Sequence, residues 1–201
     1  MMLPRLNQFV LFLTAVAMFL APPPAFGDRA ESASQAPFKL TESTIIVGYG
    51  SGSIPEGSYE PVMLIWHLGF DVRHFFPQLE NHRGTLSLCL EPEFNPVFNP
   101  ETDVEFGISF GLKYRHPLTK VLSGYVLGSV GPHFITVKTK DQANGFIFFN
   151  TIGAGCSYFL TERSALSLEY RFRHMSNASI KEPNGGIDCH IGAMGYSLFF
   201  D

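Results

Sequence analysis

The chain has 201 residues, of which 45% are hydrophobic and only 16% are charged, against about 25% charged residues in ordinary soluble domains. This apolar content excludes a disordered chain, and the net charge of -4 lacks the basic surplus that nucleic-acid binding requires. No segment beyond the amino terminus has the roughly 18 consecutive apolar residues of a membrane-spanning helix, which excludes a helical membrane bundle.

The amino terminus has the layout of a secretory signal peptide. Arg5 supplies a positive charge, residues 9–21 form an almost continuous apolar run, and small residues follow at 25–27. Because this run is too short to span a bilayer comfortably, a cleaved signal is favoured over an uncleaved anchor. We therefore predict a signal peptide at 1–27, export, and a single domain at 28–201.

Hydrophobic residues alternate with polar or small ones along most of the remaining chain. The pattern is clearest at 104–115, where Val, Phe, Ile, Phe, Leu and Tyr at even positions oppose Glu, Gly, Ser, Gly, Lys and Arg at odd positions. A period of two predicts β-strands with one apolar face, because successive side chains point to opposite sides of a sheet. Eight strands are predicted, at 44–50, 62–72, 86–94, 104–115, 121–137, 146–160, 165–176 and 187–200.

The composition of the two strand faces favours one all-β architecture. Gly, Ser, Glu, Lys and Arg alternate with large aromatic and aliphatic residues, which suits a narrow polar lumen and a lipid-facing exterior. A soluble, lipocalin-like barrel would need the large residues inside. We predict an eight-stranded antiparallel transmembrane β-barrel in the bacterial outer membrane, with outer loops opening at Ser51, Glu91, Lys140 and Asn177. Whether the barrel forms a homodimer is left open.

Three polar residues interrupt the apolar faces of the last two strands. His174 and Ser176 end the even-numbered row of the seventh strand, and Asp188 begins the apolar row of the eighth. Residues i and i+2 of a strand share a face about 7 Å apart at Cα, so an imidazole there can reach a hydroxyl. A serine becomes nucleophilic when a base takes its proton, and an acid can orient that base. Because polar groups facing lipid are costly, these three residues are candidates for catalysis.

The same segment resembles a known family. HMSNA at 174–178, followed by PNGGID at 183–188, is similar to the H-x-S-N-A and P-N-x-G-(I/V)-(E/D) signature of the lipid A 3-O-deacylases (PagL family). The resemblance implies an eight-stranded outer-membrane barrel that hydrolyses an acyl ester of lipid A in the outer leaflet, the 3-O-linked 3-hydroxyacyl group. It implies Ser176 as nucleophile, His174 as base and Asp188 as orienting acid, with no metal or organic cofactor. It also implies that Asn177 and Asn184 help to hold the loop or the oxyanion.

Two positions depart from the family pattern: Asp188 stands where the family usually has Glu, and Ser179 stands where a Gly commonly follows the Asn-Ala pair. The other function class that the sequence leaves open is a non-catalytic small outer-membrane barrel, serving as a structural protein or adhesin. The His174, Ser176 and Asp188 set favours the esterase.

Further titratable residues receive structural interpretations. His190 shares a face with Asp188, and we interpret it as a polar girdle residue rather than as part of a metal site. Arg171 and Arg173 lie on the opposite face to His174, so we expect them to line the lumen with Glu169 as a partner. The cysteines are widely spaced and indicate neither a disulfide framework nor a zinc site; they are Cys89, Cys156 and Cys189.

Overall fold

The computed structural model describes residues 38–76 and 82–200, so the predicted signal peptide at 1–27 lies outside the described residues. No helix within these two segments is long and apolar enough to cross a membrane. A short 3-10 turn, Arg73–Phe75, follows the third strand. The strands are β1 (Lys39–Ile54), β2 (Gly57–Tyr59), β3 (Val62–Asp71), β4 (Thr85–Val97), β5 (Asp103–Pro117), β6 (Leu122–Ile135), β7 (Gly145–Thr161), β8 (Ser164–Ser176) and β9 (Ile187–Phe199).

The strands close into a barrel. β1 pairs antiparallel with β3, and each strand from β3 to β8 pairs antiparallel with the strand that follows it. β9 then pairs antiparallel with β1, from Glu42↔Phe199 to Gly52↔Cys189. The three-residue β2 forms only a hairpin extension of β1. Closure removes the unpaired edges that an open sheet would expose to lipid. The predicted eight-stranded antiparallel barrel is therefore confirmed.

β1 and β4 exceed their predicted lengths by the most. β1 extends beyond 44–50 at both ends; Gly and Ser obscure the alternation at 50–53, and the backbone pairs with β9 from Glu42 to Gly52. β1 continues to Ile54 and β4 continues to Val97, so the predictions that outer loops open at Ser51 and at Glu91 were wrong. Pro92 and Pro96 are paired with β5 inside this strand. Pro92 lies where the β3–β4 pairing skips from Ile65↔Glu93 to Leu68↔Leu90, so its missing N–H removes no bond from a continuous ladder.

The even-numbered residues of β3 to β9 and the odd-numbered residues of β1 form an apolar exterior. Exposed side chains include Trp66 on β3, Phe110 on β5, Val126 on β6 and Ile152 on β7. In water such a surface would be a large uncovered apolar patch, whereas in a bilayer it faces hydrocarbon. The pleat of each strand therefore places the large apolar side chains on the outside, as predicted for a lipid-facing exterior.

The lumen is filled by paired charges. Arg171 binds both carboxylate oxygens of Glu91 at 2.9 Å and donates from Nε to Glu169 at 2.6 Å. Arg173 binds both carboxylate oxygens of Glu105 at 3.0 Å. The prediction that both arginines line the lumen, with Glu169 as a partner, is confirmed. Two bidentate pairs across the barrel fix the positions of the strands that carry them, β8 on one side and β4 and β5 on the other.

Apolar side chains fill the end of the lumen at which β8 ends and β9 begins, which we call the outer end. The loops there are joined to one another: Lys140 N–H donates to Glu56 at 2.7 Å, and Ala143 N–H donates to the Pro183 carbonyl at 2.8 Å. The outer end of β8 is therefore held from the inside by packing and from above by loops. The buried apolar cluster consists of Ile54, Tyr59, Val97, Ile135, Val137, Ile147, Phe149, Met175 and Ile187.

Candidate active site

The pleat of β8 turns the predicted site residues away from the lumen. Arg173 and Met175 are buried inside the barrel, so His174 and Ser176, which alternate with them, face the exterior. On β9 the same alternation buries Ile187 and Cys189 and exposes Asp188. All three predicted site residues therefore lie on the outer surface of the barrel, near its outer end.

The register between β8 and β9 brings His174 and Asp188 together. The two residues are directly paired across the strands, and Nδ1 of His174 lies 2.6 Å from Oδ1 of Asp188. The shorter acid therefore reaches the imidazole. A carboxylate that accepts a hydrogen bond from Nδ1–H leaves Nε2 of the neutral ring without a proton. That nitrogen is then able to accept one from a hydroxyl.

Ser176 lies one step beyond His174 on the same face and is the last residue of β8. Its register partner on β7 is Phe148, and no hydrogen bond joins its hydroxyl to the imidazole among the described residues. Two residues of a strand span about 7 Å at Cα, within reach of a serine and an imidazole that turn toward each other. Catalytic hydrogen bonds are often long without substrate and shorten when it binds.

Gly186, just before β9, packs against the imidazole. Its φ of +79° is in the left-handed region, and a Cβ built there would lie 2.7 Å from Cε1 of His174 and 3.0 Å from the Met175 carbonyl oxygen. Both constraints require glycine at this position. In the sequence Gly186 is part of the PNGGID motif, which does not predict a contact for it. The structure shows that it shapes the space in which His174 lies.

The two motif asparagines are engaged within the loop at 177–186. The backbone N–H of Asn177 donates to Oδ1 of Asn184 at 2.8 Å, and the buried side chain of Asn177 donates to the Lys181 carbonyl at 2.6 Å. Nδ2 of Asn184 lies 3.3 Å from Oγ of Ser179 on the exposed side of the loop. Both residues hold the loop that follows Ser176. Of the two asparagines, Asn184 is the one whose side-chain amide nitrogen points to the exposed side of the loop.

The backbone of the loop that follows Ser176 is strained at two residues. Ala178 and Ser179 have φ values of 53° and 63°, a left-handed conformation that residues with a side chain seldom adopt. Such strain persists only where the surrounding bonds hold it, and it is concentrated at functional sites. A glycine in place of Ser179 would adopt this conformation without strain, which gives a physical reason for the Gly of the family pattern.

His190 lies one step from Asp188 on the outer face of β9, and it binds a phenol rather than joining a metal cluster. Its Nδ1 lies 2.5 Å from the hydroxyl of Tyr170, and its ring is 5.3 Å from that of Phe172. Within residues 38–76 and 82–200, no group of three or more His, Cys, Asp or Glu residues is arranged to hold a metal ion. The three cysteines are free thiols, with Cys156 exposed.

The fold and this site together define a class: an outer-membrane β-barrel that carries a histidine–carboxylate pair and a neighbouring serine on its lipid-facing surface. The family model described as "Lipid A 3-O-deacylase (PagL)" matches residues 62–197, which is more than half of the chain. The chain belongs to this family.

Solved structures support the fold. A crystal structure of the outer membrane enzyme PagL is 16% identical, covers 76% of this chain and 98% of its own, and has a TM-score of 0.53. Neisserial surface protein A is 13% identical, with coverage of 79% and 96% and a TM-score of 0.56. No curated protein matches the chain. Because the barrel is about as similar to a surface protein as to an enzyme, the fold alone does not assign an activity.

Proposed function

We propose that this protein is an outer-membrane serine esterase that removes an ester-linked acyl chain, the 3-O-linked 3-hydroxyacyl group, from lipid A of lipopolysaccharide. The observation that carries the proposal is the 2.6 Å bond between Nδ1 of His174 and Asp188, with Ser176 next on the same lipid-facing row. A base and its orienting acid have no structural task on a surface that faces hydrocarbon. They do have a task beside a lipid ester.

The proposed reaction is acyl transfer followed by hydrolysis. Nε2 of His174 takes the hydroxyl proton of Ser176 as Oγ attacks the ester carbonyl carbon, and the carbonyl electron pair moves onto oxygen. When this intermediate collapses, the bond to the sugar oxygen breaks, and His174 returns its proton to that oxygen. Water then repeats the sequence on the acyl-serine and releases the fatty acid. Asp188 holds the ring in the required tautomer and stabilises its protonated form.

The negative charge on the tetrahedral intermediate needs hydrogen-bond donors close to Ser176. The backbone N–H of Asn177 is already used by Asn184, which fixes the orientation of the Asn184 amide and leaves its nitrogen on the exposed side of the loop. We assign Nδ2 of Asn184 as an oxyanion donor, in exchange for its 3.3 Å contact with Ser179. One such donor typically contributes about 3 kcal/mol to catalysis.

The location of the site agrees with a lipid substrate. Ser176 is at the outer end of β8, beneath the loop at 177–186, where the ester bonds between sugar and acyl chains of an outer-leaflet lipid lie. The sugar would lie against the loop and the acyl chains along the apolar exterior of the barrel. A purely structural barrel or adhesin has no need of a histidine–carboxylate pair with a serine beside it, and the family membership favours the enzyme.

The test is fatty-acid release by the purified protein in micelles that contain lipopolysaccharide. We expect the wild type to release a 3-hydroxy fatty acid and Ser176→Ala to release none. Ser51→Ala is the matched control, because Ser51 is an exposed serine on the lipid-facing side of β1. Equal release by wild type and folded Ser176→Ala would overturn the proposal.

A further inference from the structure

One more polar side chain lies beside the proposed site. Asn150 on β7 is the register partner of His174, on the side opposite Asp188. Because Phe149 and Thr151 are buried in the lumen, Asn150 faces the exterior. Directly paired residues have Cβ atoms about 5 Å apart, so its amide lies next to the imidazole.

The surroundings of Asn150 are otherwise apolar. Its register partner on β6 is Val130, and the two nearest residues of β7 that also face the exterior are Phe148 and Ile152. The side-chain amide makes no hydrogen bond within the segments that the structure describes. An amide without a hydrogen-bond partner is destabilising where water is excluded, so an asparagine at this lipid-facing position is unfavourable for the fold alone. A ligand that supplies the missing hydrogen bonds would remove this cost.

The position of Asn150 relative to Ser176 determines which part of the substrate Asn150 can contact. Asn150 is level with His174, one step from the Ser176–Phe148 pair toward the middle of the barrel wall. An acyl chain whose carbonyl lies at Ser176 passes this level as it descends into the bilayer. Two carbon–carbon bonds place the third carbon about 2.5 Å from the carbonyl carbon. A hydroxyl on that carbon is within reach of an amide on the neighbouring strand.

Resting on the proposed function, we infer that Asn150 is a specificity-determining residue: its amide binds the hydroxyl on the third carbon of the scissile acyl chain. An amide matches a hydroxyl well, because its oxygen accepts the O–H proton and its nitrogen donates to the same or a neighbouring oxygen. A chain without the hydroxyl leaves the amide unpaired. The enzyme therefore selects hydroxylated acyl chains.

The experiment uses two synthetic lipid A analogues that differ only in the hydroxyl on the third carbon of the acyl chain to be removed. We expect the wild type to prefer the hydroxylated analogue by about tenfold or more in kcat/KM, the value of one neutral hydrogen bond. Asn150→Leu suits a lipid-facing position, so the barrel should assemble normally. It should lose the preference by becoming slower on the hydroxylated analogue alone.

Two control variants make the outcomes distinct. Ile152→Ala alters the next outward residue of β7, which is 60% exposed, and should keep the wild-type preference. Ser176→Ala should be inactive on both analogues, and activity in that variant would overturn the proposed function itself. If Ser176→Ala is inactive, the inference about Asn150 is overturned by any of three results. These are a wild type without preference, an Asn150→Leu variant with the wild-type preference, and an Asn150→Leu variant equally slowed on both analogues.

Discussion

Replacing Gly186 with alanine tests whether the position of the His174 imidazole controls the activity. The new Cβ would lie 2.7 Å from Cε1 and 3.2 Å from Nε2 of the ring, whereas carbon atoms in contact are about 3.5 Å apart. The ring must therefore move by about 0.8 Å, because the Met175 carbonyl oxygen at 3.0 Å blocks the other direction. A displacement of about 1 Å at a catalytic group costs roughly 100-fold in rate. We expect kcat to fall about 100-fold with KM little changed.

The assay is fatty-acid release from lipopolysaccharide micelles, with folding checked by circular dichroism. The left-handed backbone at Gly186 costs an alanine about 1 to 2 kcal/mol, which is less than the total stability of an ordinary domain. Gly192→Ala is the control. Gly192 is exposed on the outer face of β9, the face that carries Asp188, and a Cβ there would meet nothing within 4 Å. Wild-type kcat in Gly186→Ala, or an equal loss in Gly192→Ala, would refute the reasoning.

Three further predictions concern the acid, the strained loop and the lumen. Asp188→Asn should lower kcat by about 10³ to 10⁴ because the ring loses its required tautomer, and Asp188→Glu should stay active; an active Asn variant would show that the 2.6 Å bond is dispensable. Ser179→Gly should raise the free energy of unfolding by about 1 kcal/mol in a denaturant titration, since it relieves a φ of 63°; a lower stability would contradict the strain. Arg173→Met leaves Glu105 buried without its bidentate partner and should lower the free energy of unfolding by about 3 to 5 kcal/mol in the same titration. An unchanged midpoint would contradict the pairing in the lumen.

The fold could be predicted where alternation was strong. β5 and β8 alternate apolar and polar residues along nearly their whole length, and their faces were assigned correctly from parity. The bounds were wrong where local chemistry obscured the pattern. A loop was predicted to open at Glu91, but β4 continues through Pro92 and Pro96, because a proline fits a strand when its missing N–H faces a gap in the ladder. That gap is a property of strand pairing and is not encoded in β4 alone.

The candidate site was predictable only in part, for a related reason. The motif places His174, Ser176 and Asp188 on known strand faces, so their exposure to lipid followed from counting residues. Asn150 belongs to a different strand without a motif of its own, and its place beside His174 depends on the β7–β8 register. Gly186 is part of the motif, but its contact with the imidazole depends on the path of the loop. Both require three-dimensional pairing that no local pattern reveals.

The most direct test of the proposed activity is mass spectrometry of lipid A from cells that express the wild type or Ser176→Ala at equal levels in the outer membrane. We predict that the wild type yields lipid A lacking one 3-hydroxyacyl group and that the variant leaves lipid A fully acylated. Equal acylation in both, with the wild type correctly inserted, would contradict the assignment of Ser176 as the nucleophile of a lipid A deacylase.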